Sequence, residues 1–121
     1  MDPQRIEPPA SEIAMPFWDA TREQNFVLQW CTHDNIAIFY HREVCPRCLR
    51  ADGLEWRPAS GRGQVYAVSV QHAAQVPMPA YESPYAVAIV ELDEGVRMLS
   101  TVVGCDPESV TVGQQVQVTW E

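Results

Sequence analysis

The chain has 121 residues, 46% of them hydrophobic and 20% charged, with eight Lys+Arg against 16 Asp+Glu and a formal net charge of −8. This length suits one domain, or one small module joined to one small barrel, and the composition is that of a globular protein. An acidic surface repels phosphate groups, so nucleic acid is not expected as a partner.

The first 15 residues contain three prolines and little periodicity, which predicts an extended arm that orders only against another surface. The sequence has no apolar run of signal-peptide or membrane-spanning length, so we expect a cytoplasmic protein without a membrane partner. In a reducing compartment, the four cysteines are expected to be metal ligands or buried thiols rather than disulfides.

Hydrophobic periodicity predicts a short helix followed by a mainly β chain. Residues 16–24 are expected to be helical, and alternation over 26–30 and 36–40 predicts two strands around a turn. Residues 49–58 are expected to be irregular. Further alternating segments are typical of a small closed barrel, in which both sheet edges are paired. These segments are 65–72, 85–92, 96–103 and 110–120.

Cys45-Pro46-Arg47-Cys48 places two thiolates at the spacing of a metal-binding turn. Such a pair can hold one tetrahedral Zn²⁺ together with two further ligands. Cys31 lies upstream, but three positions after it, where a ribbon would carry a fourth cysteine, the sequence has Asp34. One half of a zinc ribbon is therefore evident in the sequence, and the other half is altered.

The remaining titratable residues give no pattern of an active site. Cys105 is expected to be buried as a small apolar residue, and His33, His41 and His72 are expected to be surface or packing residues. No serine or cysteine stands with a histidine at a spacing that indicates nucleophilic catalysis. We therefore expect the isolated chain to be inactive.

An ordered set of motifs points to a known family. The set contains Pro16-Phe17-Trp18 before the helix, the Cys45 to Cys48 turn, Trp56, the run 60–66, and the segments 84–95 and 112–116. From about residue 16 onward it resembles the acyl-CoA-associated family that joins a rubredoxin-like zinc ribbon to an OB-fold. The resemblance implies an arm (1–15), a helix with a ribbon-like module (16–59) and an OB-fold barrel (60–121), without a fused hydratase domain.

The resemblance also implies a function. Members of the family are small partners of thiolase-like enzymes, so we expect a non-catalytic accessory subunit in a hetero-oligomer with a thiolase-fold acyl-CoA enzyme. The expected partner is a lipid-transfer-protein-like aldolase of steroid side-chain degradation, acting on a 17-hydroxy steroid acyl-CoA. A subunit of a thiolase or acyltransferase complex for another acyl-CoA, a single-stranded nucleic-acid binder and an independent thioesterase are the alternatives.

The family's ribbon carries four cysteine ligands, and the resemblance places these at Cys31, Asp34, Cys45 and Cys48, with a carboxylate in place of one thiolate. His33 is the alternative to Asp34 as fourth ligand. Bound zinc would be structural, because a closed site leaves no position for substrate. A four-ligand site, a weak or partly filled site and a metal-free ribbon held by packing all remain open.

Three further residues are candidate contacts with the partner or its acyl-CoA. Arg62 lies in Ser60-Gly61-Arg62-Gly63, whose two glycines otherwise indicate a flexible joint before the barrel. Met78 and Tyr81 are the largest side chains of the proline-containing connection 73–84, which is long and apolar for a loop in a small barrel. The alternative for this loop is that it folds back over the open end of the barrel.

Overall fold

The computed structural model describes residues 11–72 and 84–120, so Met78 and Tyr81 lie outside the described residues, as does most of the 1–15 arm. The described chain is mostly β with one short helix, as the sequence predicts. Its elements are α1 (Met15–Arg22), β1 (Val27–Cys31), β2 (Ile36–Ile38), β3 (Leu54–Pro58), β4 (Arg62–Gln71), β5 (Tyr85–Leu92), β6 (Arg97–Val102), a 3₁₀ turn (Pro107–Ser109) and β7 (Gln115–Gln117).

Helix α1 has a proline in its first turn and packs through the buried ring of Phe17. Pro16 occupies the first turn, where its missing N–H is not needed and its fixed φ favours the helix. Phe17 is buried, and its ring meets that of Phe26 at 6.1 Å in an edge-to-face contact. The helix ends at Arg22, two residues earlier than predicted. Within the described ranges, no helix has the length and apolar character needed to cross a membrane.

The first sheet has the strand order β2-β1-β3, with both pairs antiparallel. The predicted turn between β1 and β2 is present, with Cys31 opposite Ile36. The prediction that 49–58 is irregular is wrong for its second half, because β3 pairs along β1 from Val27↔Pro58 to Cys31↔Leu54. This strand is short, with five residues, and it depends on a partner that lies far away in the sequence.

The second sheet has the order β6-β5-β4-β7 and contains the long strands that alternation predicts. On β5 the inward row, Ala86, Ala88, Val90 and Leu92, is buried. The prediction of one strand over 110–120 is wrong, since only Gln115–Gln117 forms a strand there. Gly63 of β4 lies so close to β5 that an added Cβ would overlap the carbonyl oxygen of Glu91.

The predicted pairing of both sheet edges is not seen among the described strands. Over residues 62–72 and 84–120, β6 and β7 form the two edges of the second sheet and share no register with each other. A cleft of about 510 Å³ opens between them, with Phe26, Met98 and Val116 among its lining residues. Between the described strands β6 and β7, the OB-type sheet is therefore open.

One hydrophobic core joins the two sheets. Leu28 of β1 is fully buried in the same cluster as Val65, Ala88 and Val90 of the second sheet. The segment between the sheets is held at its start, because the backbone N–H of Ser60 donates to the Glu94 carboxylate at 2.7 Å. Ser60, the first residue of the predicted joint, is thus linked to the turn after β5.

Candidate metal centre

Four side chains converge at one end of the first sheet. Cys31 ends β1, Asp34 lies in the β1–β2 turn, and Cys45 and Cys48 lie in the connection between β2 and β3. One ligand atom from each lies within 4.8 Å of the other three. The structure thus brings together the four residues that the sequence singled out.

The distances in this group fit a tetrahedral ion. The sulfurs of Cys31 and Cys48 are 3.7 Å apart, and Asp34 Oδ2 lies 3.5 Å from the sulfur of Cys45 and 4.0 Å from that of Cys31. With Zn–S bonds of about 2.3 Å, the sulfur–sulfur edge of a tetrahedron is about 3.8 Å. The group could therefore hold a metal ion.

A tight turn presents the second cysteine pair. The backbone N–H of Leu49 donates to the carbonyl of Cys45 at 2.8 Å, and the N–H of Cys45 donates to the carbonyl of Arg50 at 3.0 Å. The N–H of Arg47 points at the sulfur of Cys45, 3.4 Å away. Such N–H···S contacts stabilise thiolate charge, which suits a metal ligand.

The thiols differ in acidity. The backbone N–H of Asp34 lowers the pKa of Cys31, and although burial opposes this, the neighbouring thiols of Cys45 and Cys48 also lower it. At Cys48 the N–H of Arg50 acts to lower the pKa, but burial and the contacts with Cys45, Cys31 and Asp34 outweigh it and raise the pKa to about 11. Since ligand thiols must be deprotonated, a bound cation would favour ionisation of the whole group.

His33 does not take part in this group. Its Nε2 lies 3.4 Å from the carboxylate of Asp52, which also accepts two hydrogen bonds from Arg50. The Arg50 guanidinium lowers the pKa of Asp52. This network lies on the outside of the ribbon and connects the β1–β2 turn, which contains His33, to the segment at Arg50 and Asp52 before β3. Asp34, and not His33, is therefore the fourth member of the cluster.

A buried side-chain amide holds the segment that leads to the cluster, and the sequence did not indicate this role. Gln29 of β1 is 4% exposed, and its side chain forms two hydrogen bonds with the backbone of Arg42, at 2.8 and 2.9 Å. It thus fixes the chain that leaves β2 on its way to Cys45. No sequence pattern identifies such a residue, because a glutamine in a strand is ordinarily exposed.

The other candidates lie elsewhere. Cys105 is exposed, so the expectation that it is buried is wrong; it follows Gly104 in a turn after β6, where no strand directs it inward. His41 packs against the rings of Phe17 and Trp56, both at 4.9 Å, and burial lowers its pKa. Arg62 begins β4, in the second sheet.

Known proteins are similar to this chain in sequence. A DUF35 domain-containing scaffold protein of Methanocaldococcus jannaschii is 39% identical over 90 residues, covering 74% of this chain and 63% of that protein. The 3-oxo-4,17-pregnadiene-20-carboxyl-CoA hydratase alpha subunit of Mycobacterium tuberculosis is 30% identical over 126 residues, covering 99% of this chain and 38% of that protein. The chain thus spans less than two thirds of the length of either relative.

A solved structure extends the similarity across both sheets. A chain of the Ltp2-ChsH2(DUF35) aldolase superposes with a TM-score of 0.85 at 31% identity, covering 95% of this chain and 88% of that one. A family model for the C-terminal OB-fold domain of ChsH2 matches residues 56–121, more than half of the chain. The chain therefore belongs to the ChsH2 C-terminal OB-fold domain family.

Proposed function

We propose that this chain is a non-catalytic accessory subunit of a thiolase-like acyl-CoA enzyme, specifically an aldolase of steroid side-chain degradation. The observation that carries the proposal is the superposition on a chain of the Ltp2-ChsH2(DUF35) aldolase, which includes both the ribbon and the OB-type sheet. The name of the Mycobacterium tuberculosis relative, a hydratase subunit for a steroid acyl-CoA, supports the same substrate class.

The chemistry of the described residues supports a role without catalysis. Three of the four cysteines are grouped with Asp34, and the exposed Cys105 is in no such group. His41 is enclosed by aromatic rings and His72 lies near Glu108 on the surface. Across residues 11–72 and 84–120 we find no nucleophile positioned beside a general base.

For the cluster of four we propose structural Zn²⁺, held by Cys31, Asp34, Cys45 and Cys48. The sulfur–sulfur distance of 3.7 Å and the depth of the site support zinc, since Cys31 and Cys45 are fully buried. Bound there, the ion would connect the β1–β2 turn to the connection before β3. The zinc site thus belongs to the architecture of the subunit rather than to the reaction.

The division into an arm (1–15), a helix with a ribbon-like module (16–59) and an OB-fold barrel (60–121) is part of the proposal. It is supported by the fact that each of the last two parts contains its own sheet. Arg62, Met78 and Tyr81 are retained as proposed contacts with the partner or its acyl-CoA.

Reconstitution tests this function. The purified chain and a thiolase-like subunit from the same organism should elute together in size-exclusion chromatography, and only the mixture should cleave a 17-hydroxy steroid acyl-CoA. The acidic chain should not shift the anisotropy of labelled single-stranded DNA at physiological salt. Acyl-CoA turnover by this chain alone, or failure to bind any thiolase-like subunit, would contradict the proposal.

A further inference from the structure

The cleft between β6 and β7 is lined by apolar side chains of the hydrophobic core. Val90 and Leu92 of β5, both buried, belong to this lining. Met98 of β6 and Val116 of β7 also line the cleft and pack against the same buried cluster. Phe26, which precedes β1, does so as well. An opening of about 510 Å³ thus reaches from the surface to the core of the protein.

Apolar side chains also remain in contact with water along this cleft. Val103, which follows β6, is 49% exposed, and Val118, which follows β7, is 39% exposed. Both side chains line the cleft. Each square ångström of apolar surface that leaves water contributes about 25 cal/mol. A molecule that fills the cleft would therefore gain free energy by covering these two valines.

The lining of the cleft is uncharged. None of the described residues that line it is acidic, basic or a histidine, although 20% of the chain is charged. Its polar side chains carry the hydroxyl groups of serine and threonine and the amide groups of glutamine. Among them, Ser100, Gln115 and Gln117 form no side-chain hydrogen bond with another described residue. They are therefore available to bond the uncharged oxygen atoms of a ligand.

These properties favour a small molecule that is uncharged and mostly apolar. Small-molecule sites measure about 300–1,000 Å³, and their lining is predominantly apolar with a few polar groups. The phosphates of coenzyme A would call for arginine or lysine, which the described lining lacks. A stable protein–protein contact covers about 800 Å² of each partner, a larger area than the lining of this cleft.

The proposed aldolase reaction releases a molecule of this kind. Cleavage of a 17-hydroxy steroid acyl-CoA breaks the carbon–carbon bond between the ring system and the acyl side chain. The hydroxyl group loses its proton and becomes a carbonyl, and the carbon beside the thioester takes the bonding electron pair and a proton. No oxidant or reductant is needed. The products are a shorter acyl-CoA, which keeps every phosphate, and an uncharged steroid ketone.

We propose that the cleft between β6 and β7 binds the uncharged steroid ketone that this cleavage releases. The site rests on the function proposed above and adds a ligand to it. The apolar side chains cover the ring system, and Ser100, Gln115 and Gln117 donate hydrogen bonds to its carbonyl oxygens. The intact substrate is disfavoured here, since its phosphates would lie beside a chain with a net charge of −8.

Steroid binding and its location can be measured separately. Equilibrium dialysis of the zinc-loaded chain against radiolabelled androstenedione, a steroid diketone, gives the dissociation constant. Cys105 reports the location, because it is exposed and lines the cleft, whereas the other three cysteines belong to the metal cluster. Saturating steroid should slow the alkylation of Cys105 by iodoacetamide, followed by mass spectrometry, by about threefold or more, since a bound ligand covers the walls of its site.

A charge placed in the cleft should prevent binding. Ser100→Asp adds a carboxylate at an exposed position of the lining and should raise the dissociation constant by about tenfold or more, because the steroid would cover that charge. Ser69→Asp, at an exposed position of β4 outside the cleft, adds the same charge and should leave binding unchanged. Thermal melts check that both variants fold. If Ser100→Asp does not fold, Gln117→Glu on β7 takes its place.

The outcomes distinguish the occupants of the cleft. No binding, binding that leaves Cys105 as reactive as before, or binding that Ser100→Asp does not weaken would refute the steroid site. Equal protection of Cys105 by the steroid acyl-CoA would show that the cleft takes the substrate and not the released ketone. Protection by the thiolase-like subunit but not by the steroid would show a protein contact instead. All these results leave the proposed function standing, since that function fails only if the chain binds no thiolase-like subunit or turns over acyl-CoA alone.

Discussion

Asp34 Oδ2 lies 3.5 Å from the sulfur of Cys45, at the distance that separates two ligands of one tetrahedral ion. The carboxylate thus lies among the thiols and takes the place that a fourth thiolate would occupy. Oxygen is a harder ligand than sulfur, and zinc in closed structural sites favours sulfur and imidazole nitrogen. The zinc affinity of the proposed site should therefore depend strongly on residue 34.

Asp34→Cys should raise zinc affinity by about tenfold or more, because it completes a set of four thiolates. Asp34→Ala should lower it, because one ligand is lost. Competition with a chromophoric chelator measures both. Asp93→Cys, in the turn after β5, adds a cysteine far from the cluster and should leave the affinity as in the wild type. Equal affinities for Asp34→Ala and the wild type would show that Asp34 is not a ligand.

Cys45→Ser should abolish stoichiometric zinc and lower the melting temperature by roughly 10 °C or more, since a structural metal contributes directly to folding. Cys105→Ser is the matched control, because Cys105 is exposed and lies outside the cluster. Elemental analysis and a thermal melt of each variant check the prediction. An unchanged melt for Cys45→Ser would mean that packing alone holds the ribbon.

Gln29→Ala should destabilise the chain by about 1–3 kcal/mol, because the backbone N–H and C=O of Arg42 lose their buried partner. Gln115→Ala, at an exposed position of β7, should cost much less. Urea denaturation of the two zinc-loaded variants measures the difference. Similar denaturation midpoints for the two variants would show that water replaces the Gln29 amide without loss of stability.

Gly63→Ala should destabilise the chain by about 1–3 kcal/mol, since its Cβ would overlap the backbone of Glu91 and push β4 away from β5. The neighbouring exposed residue provides the control, because Gln64→Ala adds no atom to the space between the strands. Urea denaturation is again the measurement. A Gly63→Ala variant as stable as Gln64→Ala would show that β4 and β5 are further apart than described.

The lowered pKa of His41 predicts that the stability of the protein depends on pH. Burial lowers its pKa below the ordinary 6.5, so the unfolded chain binds a proton more readily than the folded one. The free energy of unfolding should therefore decrease as the pH falls below about 6.5, the unfolded pKa. His41→Phe should reduce that decrease, measured as the difference between the two proteins at pH 7.5 and about pH 5.5. If the free energies of unfolding of the wild type and His41→Phe change with pH in parallel, His41 does not contribute to the pH dependence.

Local sequence patterns were sufficient to predict those strands and helices that bury one face. The alternation in β4 and β5 predicts strands because every second side chain enters the core, as Val65 and Val90 do. The grouping of Cys31 with Cys45 and Cys48 follows from ligand chemistry and from the turn between β1 and β2. The OB-fold itself came from a resemblance to known proteins and not from periodicity.

The features that were missed depend on contacts across the chain. Strand β3 exists because Trp56 and its neighbours pair with β1, a relationship that no window of 5 residues contains. Cys105 is exposed because the chain turns at Gly104, and the position of a turn is weakly encoded. The support of Arg42 by Gln29 requires a register between two segments that only the folded chain provides.

The shared core predicts how the molecule would respond to loss of the proposed zinc. Leu28 belongs to the strand that ends at Cys31, yet it is packed among side chains of the OB-type sheet. Local unfolding at the thiols would displace β1 and with it Leu28, which packs in that core. The ribbon-like module and the OB-type sheet should therefore melt in a single cooperative transition. The supply of the proposed zinc would then set how much of the folded protein exists.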